Sequence, residues 1–284
     1  MSLITARGLA KSFGDVRALD GLDLTVEAGR IVGLIGPNGS GKTTALKAIL
    51  GLSHLDAGTL DVLGMNPATS RKALMQRTAY IADVGILPRW MRVSQLLDFV
   101  AGVHPGFRRE VAEAHLESTD VRPDKRINGL SKGMNVQLHL ALVLAIDAEL
   151  LVLDEPTLGL DIIYRQKFYD ALLGDYFDGN RSILVTTHEV REIEHILTDV
   201  VFIHHGRSLL SLSMESIHDE FAKVVAQPTQ AGAVRSLGPI AERTTLSGAE
   251  FVFRGADRDA LGSYGEVSTP SLPELFIAIM GDNA

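Results

Sequence analysis

The stretch GPNGSGKTT, Gly36 to Thr44, lies between an apolar run ending at Ile35 and the helix-forming run KTTALKAILGL. It fits the pattern G-x-x-x-x-G-K-[ST] in the strand–loop–helix setting that this pattern needs. Gly36, Gly39 and Gly41 lack a Cβ, so backbone N–H groups can close around an anion. Lys42 offers a point charge to the β- and γ-phosphates of a nucleoside triphosphate, and the Thr43 hydroxyl offers a ligand to Mg²⁺. Pro37, Asn38, Ser40 and Thr44 complete the loop that binds the nucleotide. A strand must precede this loop and a helix must follow it, which points to an α/β fold.

The rest of the chain agrees. LDLTVE (22–27) and RIVGLI (30–35) read as two strands joined by a turn at Ala28-Gly29, and GTLDVLG and TAYIA as two more. SQLLDFVAG and RREVAEAHLES have helical spacing of apolar residues. LLVLDEP and SILVTTH are continuous apolar runs of the kind buried on both faces of a parallel sheet. A mixed, mostly parallel sheet with flanking helices is expected over residues 1–212, with a helix-rich lobe inserted at about 84–138. From residue 213 to 284, KVVAQ, RTTL and EFVFRG look like short strands, and SLPELFIAIMGD like an amphipathic helix with Pro273 in its first turn. A small α+β accessory domain is expected there.

Composition narrows the partners. A net charge of −8 disfavours nucleic acid, which calls for a strong positive face, and the clusters at Arg89 and Arg108 read as solvated helix faces. No cysteine is present, so no disulfide or thiolate chemistry is expected. The start has no basic segment leading into an apolar one, as a secretory signal would. The longest apolar run, Leu140–Ile146, has seven residues; a membrane-spanning helix needs about 20. The chain is expected to be cytoplasmic, with any membrane role borrowed from a partner.

Two acids and a histidine supply chemistry to the triphosphate. LLVLDEP carries Asp154 to a strand end, where it can hold the magnesium shell, and Glu155 beside it can orient and deprotonate an attacking water. TTHE brings His188 to the same sheet edge, where it can stabilise charge as the bond breaks. His139, His204 and His205 have no acidic or cysteine partners at metal spacing and read as structural. LSKGMN, Leu130 to Asn135, starts a helix with Ser131 and Gly133 at its mouth, a second anion site on a chain that already has one.

Together these pieces resemble the ATP-binding cassette (ABC) ATPases over about residues 1–212. LSKGM is similar to the family's signature LSGGQ, LLVLDEP to its second Walker motif, LGLD (Leu158–Asp161) to its D-loop, and TTH to its switch histidine. Phe13 stands where the family has an aromatic residue stacked on adenine. The resemblance implies ATP and Mg²⁺ as cofactors and two cassettes packed head to tail, identical or paralogous. Ser131, Gly133 and Met134 of one would cover the ATP held by the other, and Asp161 would couple the two sites. Such a helix start would be poorly satisfied in a lone chain.

The family's glutamine at the metal falls on Asp83, which is shorter and charged; a water-bridged contact and slow hydrolysis follow. Gln76 and Gln95 lie too far to either side to replace it, and Gln137 stands where a basic residue is usual. Lys132 and Met134 in place of Gly and Gln resemble the ABC-2-type exporters. The implied function is the ATP-hydrolysing subunit of a transporter, on the inner face of the membrane, driving export through a separate permease. Ile86, Trp90 and Met91 are candidates for that contact. The alternative is a soluble ABC ATPase acting on nucleic acid or ribosomes. The 88 positions from Lys42 to Leu130 hold no sustained heptads, and the chain has one cassette, which disfavours both forms. A small-molecule kinase leaves residues 130–134 and the D-loop unexplained.

Overall fold

The phosphate loop springs from a strand in which every residue is buried, and two further strands beside it are buried just as fully. A computed structural model describes residues 2–82, 87–158, 160–245 and 248–281. The chain opens with β1 (Ser2–Phe13), β2 (Val16–Glu27) and β3 (Ile31–Ile35), then α1 (Lys42–Ile49), β4 (Ala57–Val62), α2 (Pro67–Met75) and β5 (Thr78–Ile81). Helices α3 (Val93–Val103), α4 (Arg109–Glu117) and α5 (Lys132–Leu144) follow. The chain then runs through β6 (Leu150–Asp154), α6 (Ile162–Ala171), β7 (Ser182–Thr187), α7 (Val190–Ile193), β8 (Asp199–His204) and β9 (Arg207–Ser213). Last come α8 (Met214–Glu220), β10 (Phe221–Ala226), α9 (Ala231–Arg235), β11 (Ala241–Thr245), β12 (Gly248–Arg254), α10 (Arg258–Leu261), β13 (Gly265–Ser268) and α11 (Leu272–Gly281).

The central sheet has the order β5-β6-β7-β3-β8-β9, parallel except for β9. This is the α/β P-loop fold with a mixed sheet and flanking helices that the sequence predicts. Its register pairs Asp154 with Thr186 and Ile35 with Thr187, so the ends of β3, β6 and β7 are level. The loops leaving them open on one edge, where ligands bind in such sheets.

A separate antiparallel sheet, β2-β1-β4, lies against this core. The runs 22–27 and 30–35 therefore enter different sheets although only a turn separates them, and the second strand starts at Ile31. In β1 the buried face switches from Ile4 and Ala6 to Leu9 across an irregularity at Arg7–Gly8. Such a bulge moves later side chains to the opposite phase of the pleat.

The inserted lobe has its own apolar cluster, with Val93, Leu96, Leu97, Leu116 and Leu138 at its centre. Helix α5 serves two cores at once. Leu138, Ala141, Leu142 and Ala145 face the lobe, while Val143 and Leu144 face the main sheet. The lobe's cluster thus takes in residues on both sides of position 140.

The C-terminal strands form a fully antiparallel sheet, β11-β12-β10-β13, with the βαββαβ order of the split βαβ motif. Val224, Phe251 and Phe253 on one face pack with Val234 and Leu261 of its helices. Helix α11 lies on the other side, where Glu274 pairs with Lys223 at 2.8 Å. The same helix buries Leu272 and Leu275 in the main core and sets Phe276 edge-on to Phe202, 5.1 Å between centroids. Leu275→Ala is expected to cost about 2–5 kcal/mol, the usual range for emptying a buried leucine site. Calorimetry should show the whole chain melting earlier; a new early transition that leaves the main one unmoved would argue against this docking.

Candidate active site

Gly41 ends the phosphate loop at φ +108, and a Cβ there would lie 2.5 Å from the Ala18 carbonyl oxygen, so glycine is required on both counts. Gly41 is also the N-cap of α1 and supplies no side-chain acceptor, which leaves the helix's first N–H groups available to an anion. The buried Lys42 Nζ donates to the carbonyls of Gly36 at 2.7 Å and Pro37 at 3.2 Å, and lies 3.4 Å from Glu155 Oε1. The resulting cavity, about 330 Å³, has Asn38 to Thr44, Glu155, Val16 and Ala18 as its walls.

The acids come from the level strand ends. Asp154 is buried, and its Oδ1 accepts from Thr186 Oγ1 at 2.7 Å and from Thr43 Oγ1 at 3.4 Å. Glu155 sits at φ +48, a left-handed conformation costly for a residue with a side chain. Its N–H donates to the Thr186 carbonyl at 3.1 Å, which holds that conformation against β7. His188 Nδ1 donates to Glu155 Oε2 at 2.9 Å. Lys42, Thr43 and Glu155 thus line one cavity, with Asp154 hydrogen-bonded to Thr43 and His188 to Glu155. Ser40 lies in the loop, but its hydroxyl is buried, 2.5 Å from where a Cβ on Gly36 would sit.

The other predicted residues stand apart. Phe13 is 55% exposed at the β1–β2 hairpin tip, with Lys11 Nζ 5.5 Å from its ring centroid; its cross-strand partner Val16, not Phe13, reaches the cavity wall. Ser131 is the N-cap of α5, and its Oγ accepts the Met134 N–H at 3.2 Å. That helix start is therefore partly satisfied within its own chain, contrary to the expectation that its donors are left over. The Met134 side chain packs on the lobe core, and Gly133 is buried. Asp161 is the N-cap of α6, its Oδ1 accepting from the N–H groups of Ile163 at 3.1 Å and Tyr164 at 3.0 Å. Phe13, Ser131, Gly133, Met134 and Asp161 are not among the cavity walls. Gln95 Oε1 accepts the Arg92 N–H at 2.9 Å and so caps α3. Asp83, Ile86 and Gly159 of the D-loop run lie outside the described residues.

Three groups escape a reading of the sequence. Thr186, which shares Asp154 with Thr43, shows only through the strand register; Val16 and Ala18 come from another sheet. Behind the site, Thr157 Oγ1 lies 3.1 Å from the Tyr169 hydroxyl, and burial pushes that phenol up to about 12. Arg165 on α6 pairs with Glu192 on α7 and donates from Nε to the Leu160 carbonyl at 2.8 Å, tying the segment after Glu155 to the helix after His188.

The donors suit a magnesium–triphosphate pair. The Thr43 hydroxyl and Asp154 carboxylate are hard oxygen ligands close to each other, beside a lysine and an uncapped helix start. The sequence model of the family described as "ABC transporter" matches residues 19–158. The chain is 36% identical over 212 residues to "Nod factor export ATP-binding protein I" of Burkholderia lata, covering 72% of this chain and 69% of that protein. It is 31% identical to the protein of the same name from Rhizobium sp. (strain N33), across 98% of this chain and 97% of the relative. "Daunorubicin resistance ATP-binding protein DrrA3" of Streptomyces coeruleorubidus is 32% identical over 84% of this chain and 78% of its own length. Among solved structures, an "ATP binding subunit of ABC transporter" aligns with a TM-score of 0.67 at 23% identity, covering 92% of this chain and 98% of that one. A nucleotide-free ATP-binding cassette aligns at 0.64 and 20%, covering 77% and 94%.

Proposed function

Because the chain belongs to the ABC transporter family of ATP-binding proteins, we propose that it works as one of two cassettes packed head to tail, identical or paralogous, driving export through a separate membrane permease. The observation that carries this reading is the division of the site. Lys42, Thr43 and Glu155 line one cavity, with Asp154 hydrogen-bonded to Thr43 and His188 to Glu155, whereas Ser131 and Asp161 are exposed caps of helices with no such link to its walls. A lid for each nucleotide is then lent by the neighbour, with Ser131 and the Gly133 and Met134 backbone facing its γ-phosphate and Asp161 linking the two sites.

When bound, Mg²⁺–ATP supplies an electrophilic γ-phosphate with part of its charge neutralised. Thr43 and Asp154 would hold the metal, and Asp83 would reach it through water, which makes hydrolysis slow. Lys42 turns from the loop carbonyls to the phosphates. Glu155 orients a water and takes its proton, while His188, bonded to the second oxygen of that carboxylate, fixes its direction and offers charge to the γ-phosphate. Phe13 would stack on the adenine.

For the permease, a groove of about 460 Å³ runs between β5 and helices α3 and α5, lined by Tyr80, Leu87, Val100, Val103 and Leu142. Trp90, three positions after Leu87, is 68% exposed, and Met91 is half-buried. Among the described residues no helix is long and apolar enough to cross a membrane, which fits a subunit held on the inner face by its partner. The names of the relatives, export and drug resistance, support an exporter, and the resemblance carried by Lys132 and Met134 supports its ABC-2-type branch. Solubilising native membranes and capturing the tagged Glu155→Gln variant should recover a polytopic membrane protein. Recovery of ribosomes or DNA instead would replace this reading with the soluble one.

A further inference from the structure

Gly133 and Tyr164 come from different helices and occupy one another's space. A Cβ on Gly133 would lie 2.4 Å from both the Cζ and the hydroxyl oxygen of Tyr164, far inside contact distance. The ring fills the room that any other residue at position 133 would take. Lys167, three residues on in the same helix, places its Nζ 5.8 Å from the ring centroid, a cation–π contact on the tyrosine's own side of the seat. Tyr164 is partly buried, whereas its neighbours Ile162 and Ile163 are 82% and 65% exposed, so the tyrosine packs inward where they do not.

Both ends of this contact carry a group that the head-to-tail reading lends to the neighbouring nucleotide. Gly133 is in the first turn of α5, whose cap is Ser131. Tyr164 donates its N–H to Asp161, the cap of α6. Helix α6 is in turn held to α7 by the Arg165–Glu192 pair, and Glu192 Oε2 lies 3.5 Å from Thr157 Oγ1. Helix α7 starts two positions after His188.

We infer that Tyr164 is a positioning residue: its ring, seated on Gly133, fixes the start of α5 against the start of α6, so that Ser131 and Asp161 are presented to the partner's nucleotide as one rigid unit. This rests on the head-to-tail reading above. It gives glycine at 133 a reason inside its own chain, separate from any need to approach a phosphate. A methyl there must push the ring out, even though a side-chain ring can move more easily than backbone. It also gives the hydrolytic end of the chain, through α7 and α6, a packed route to the lid that the same chain lends away.

Pairing of the Glu155→Gln protein, followed by light scattering against Mg²⁺–ATP concentration, tests the seat. Adding Tyr164→Ala should raise the ATP needed for half-maximal pairing about tenfold, which corresponds to about 1.4 kcal/mol of lost lid energy. Binding of a fluorescent ATP analogue to the monomer should not change, because the phosphate loop is untouched; the same measurement shows that the variant is folded. Tyr164→Phe should restore pairing, since the ring and not the hydroxyl fills the seat. Gly133→Ala should match Tyr164→Ala, and the double variant should be no worse than either, as for two residues acting through one contact. In the hydrolysing protein, Tyr164→Ala should raise the ATP KM with kcat little changed. Unshifted pairing with Tyr164→Ala overturns the inference, as do losses that simply add in the double variant. A parent protein that never pairs at saturating Mg²⁺–ATP overturns the head-to-tail reading itself, and the inference with it.

Discussion

Replacing Glu155 by glutamine should cut ATP turnover by about 10²–10⁴-fold, the range for losing a general base, while ATP-bound pairs accumulate. Both effects follow from where the carboxylate sits. Its Oε1 is 3.4 Å from Lys42 Nζ and its Oε2 is 2.9 Å from His188 Nδ1, so it faces the place a γ-phosphate must take. In the glutamine variant no group remains there to accept the water's proton. The negative charge that opposes the phosphate is gone as well, so the triphosphate should be held at least as firmly. Phosphate release measures the first effect, and light scattering at saturating Mg²⁺–ATP the second. A variant that stays monomeric under those conditions would remove the basis for a shared lid, and one that hydrolyses at the parent rate would remove Glu155 from the mechanism.

Lys42→Ala should abolish useful ATP binding. The Lys42 side chain is 6% exposed and its ammonium is aimed by two loop carbonyls, so its charge acts where water screens little. Truncating one partner of a desolvated charge contact costs about 2–5 kcal/mol, or a loss of affinity of roughly thirtyfold at the least. Equilibrium binding of a fluorescent ATP analogue measures it, with circular dichroism to show the fold retained. Lys42→Arg should not rescue, because a planar guanidinium has a different reach and hydrogen-bonding pattern from a compact ammonium. Affinity left within a few-fold of the parent would mean that the loop amides alone carry the nucleotide.

How much of this was legible in the chain depends on how local the physics is. The phosphate loop was, because backbone wrapped on an anion demands glycine at fixed spacing. So were β6 and β7, whose uninterrupted apolar runs announce burial on both faces. The start of the chain was not. The bulge at Arg7–Gly8 splits β1 into two phases of alternation, and neither half is long enough to show a period of two. Thr186 was hidden because its place beside Asp154 is a matter of register between strands. Val16 and Ala18 reach the cavity from a sheet that no pattern in their own segment connects to the loop. The seat of Tyr164 on Gly133 belongs to the same class, a fit between two helices that are each unremarkable alone. The division of α5 between two cores was hidden as well, because a single apolar run feeds both.

Helix α11 adds a matter of timing. Leu272 and Leu275 fill part of the core beneath the nucleotide sheet, yet a ribosome makes them only after every strand of that sheet. During synthesis the flank of the sheet that receives α11 waits uncovered, a stretch of greasy surface open to chaperones or to other nascent chains. Maturation of the ATP-consuming half is thereby chained to delivery of residues that never come near ATP, and a stalled or clipped product should be cleared rather than left to bind nucleotide unproductively.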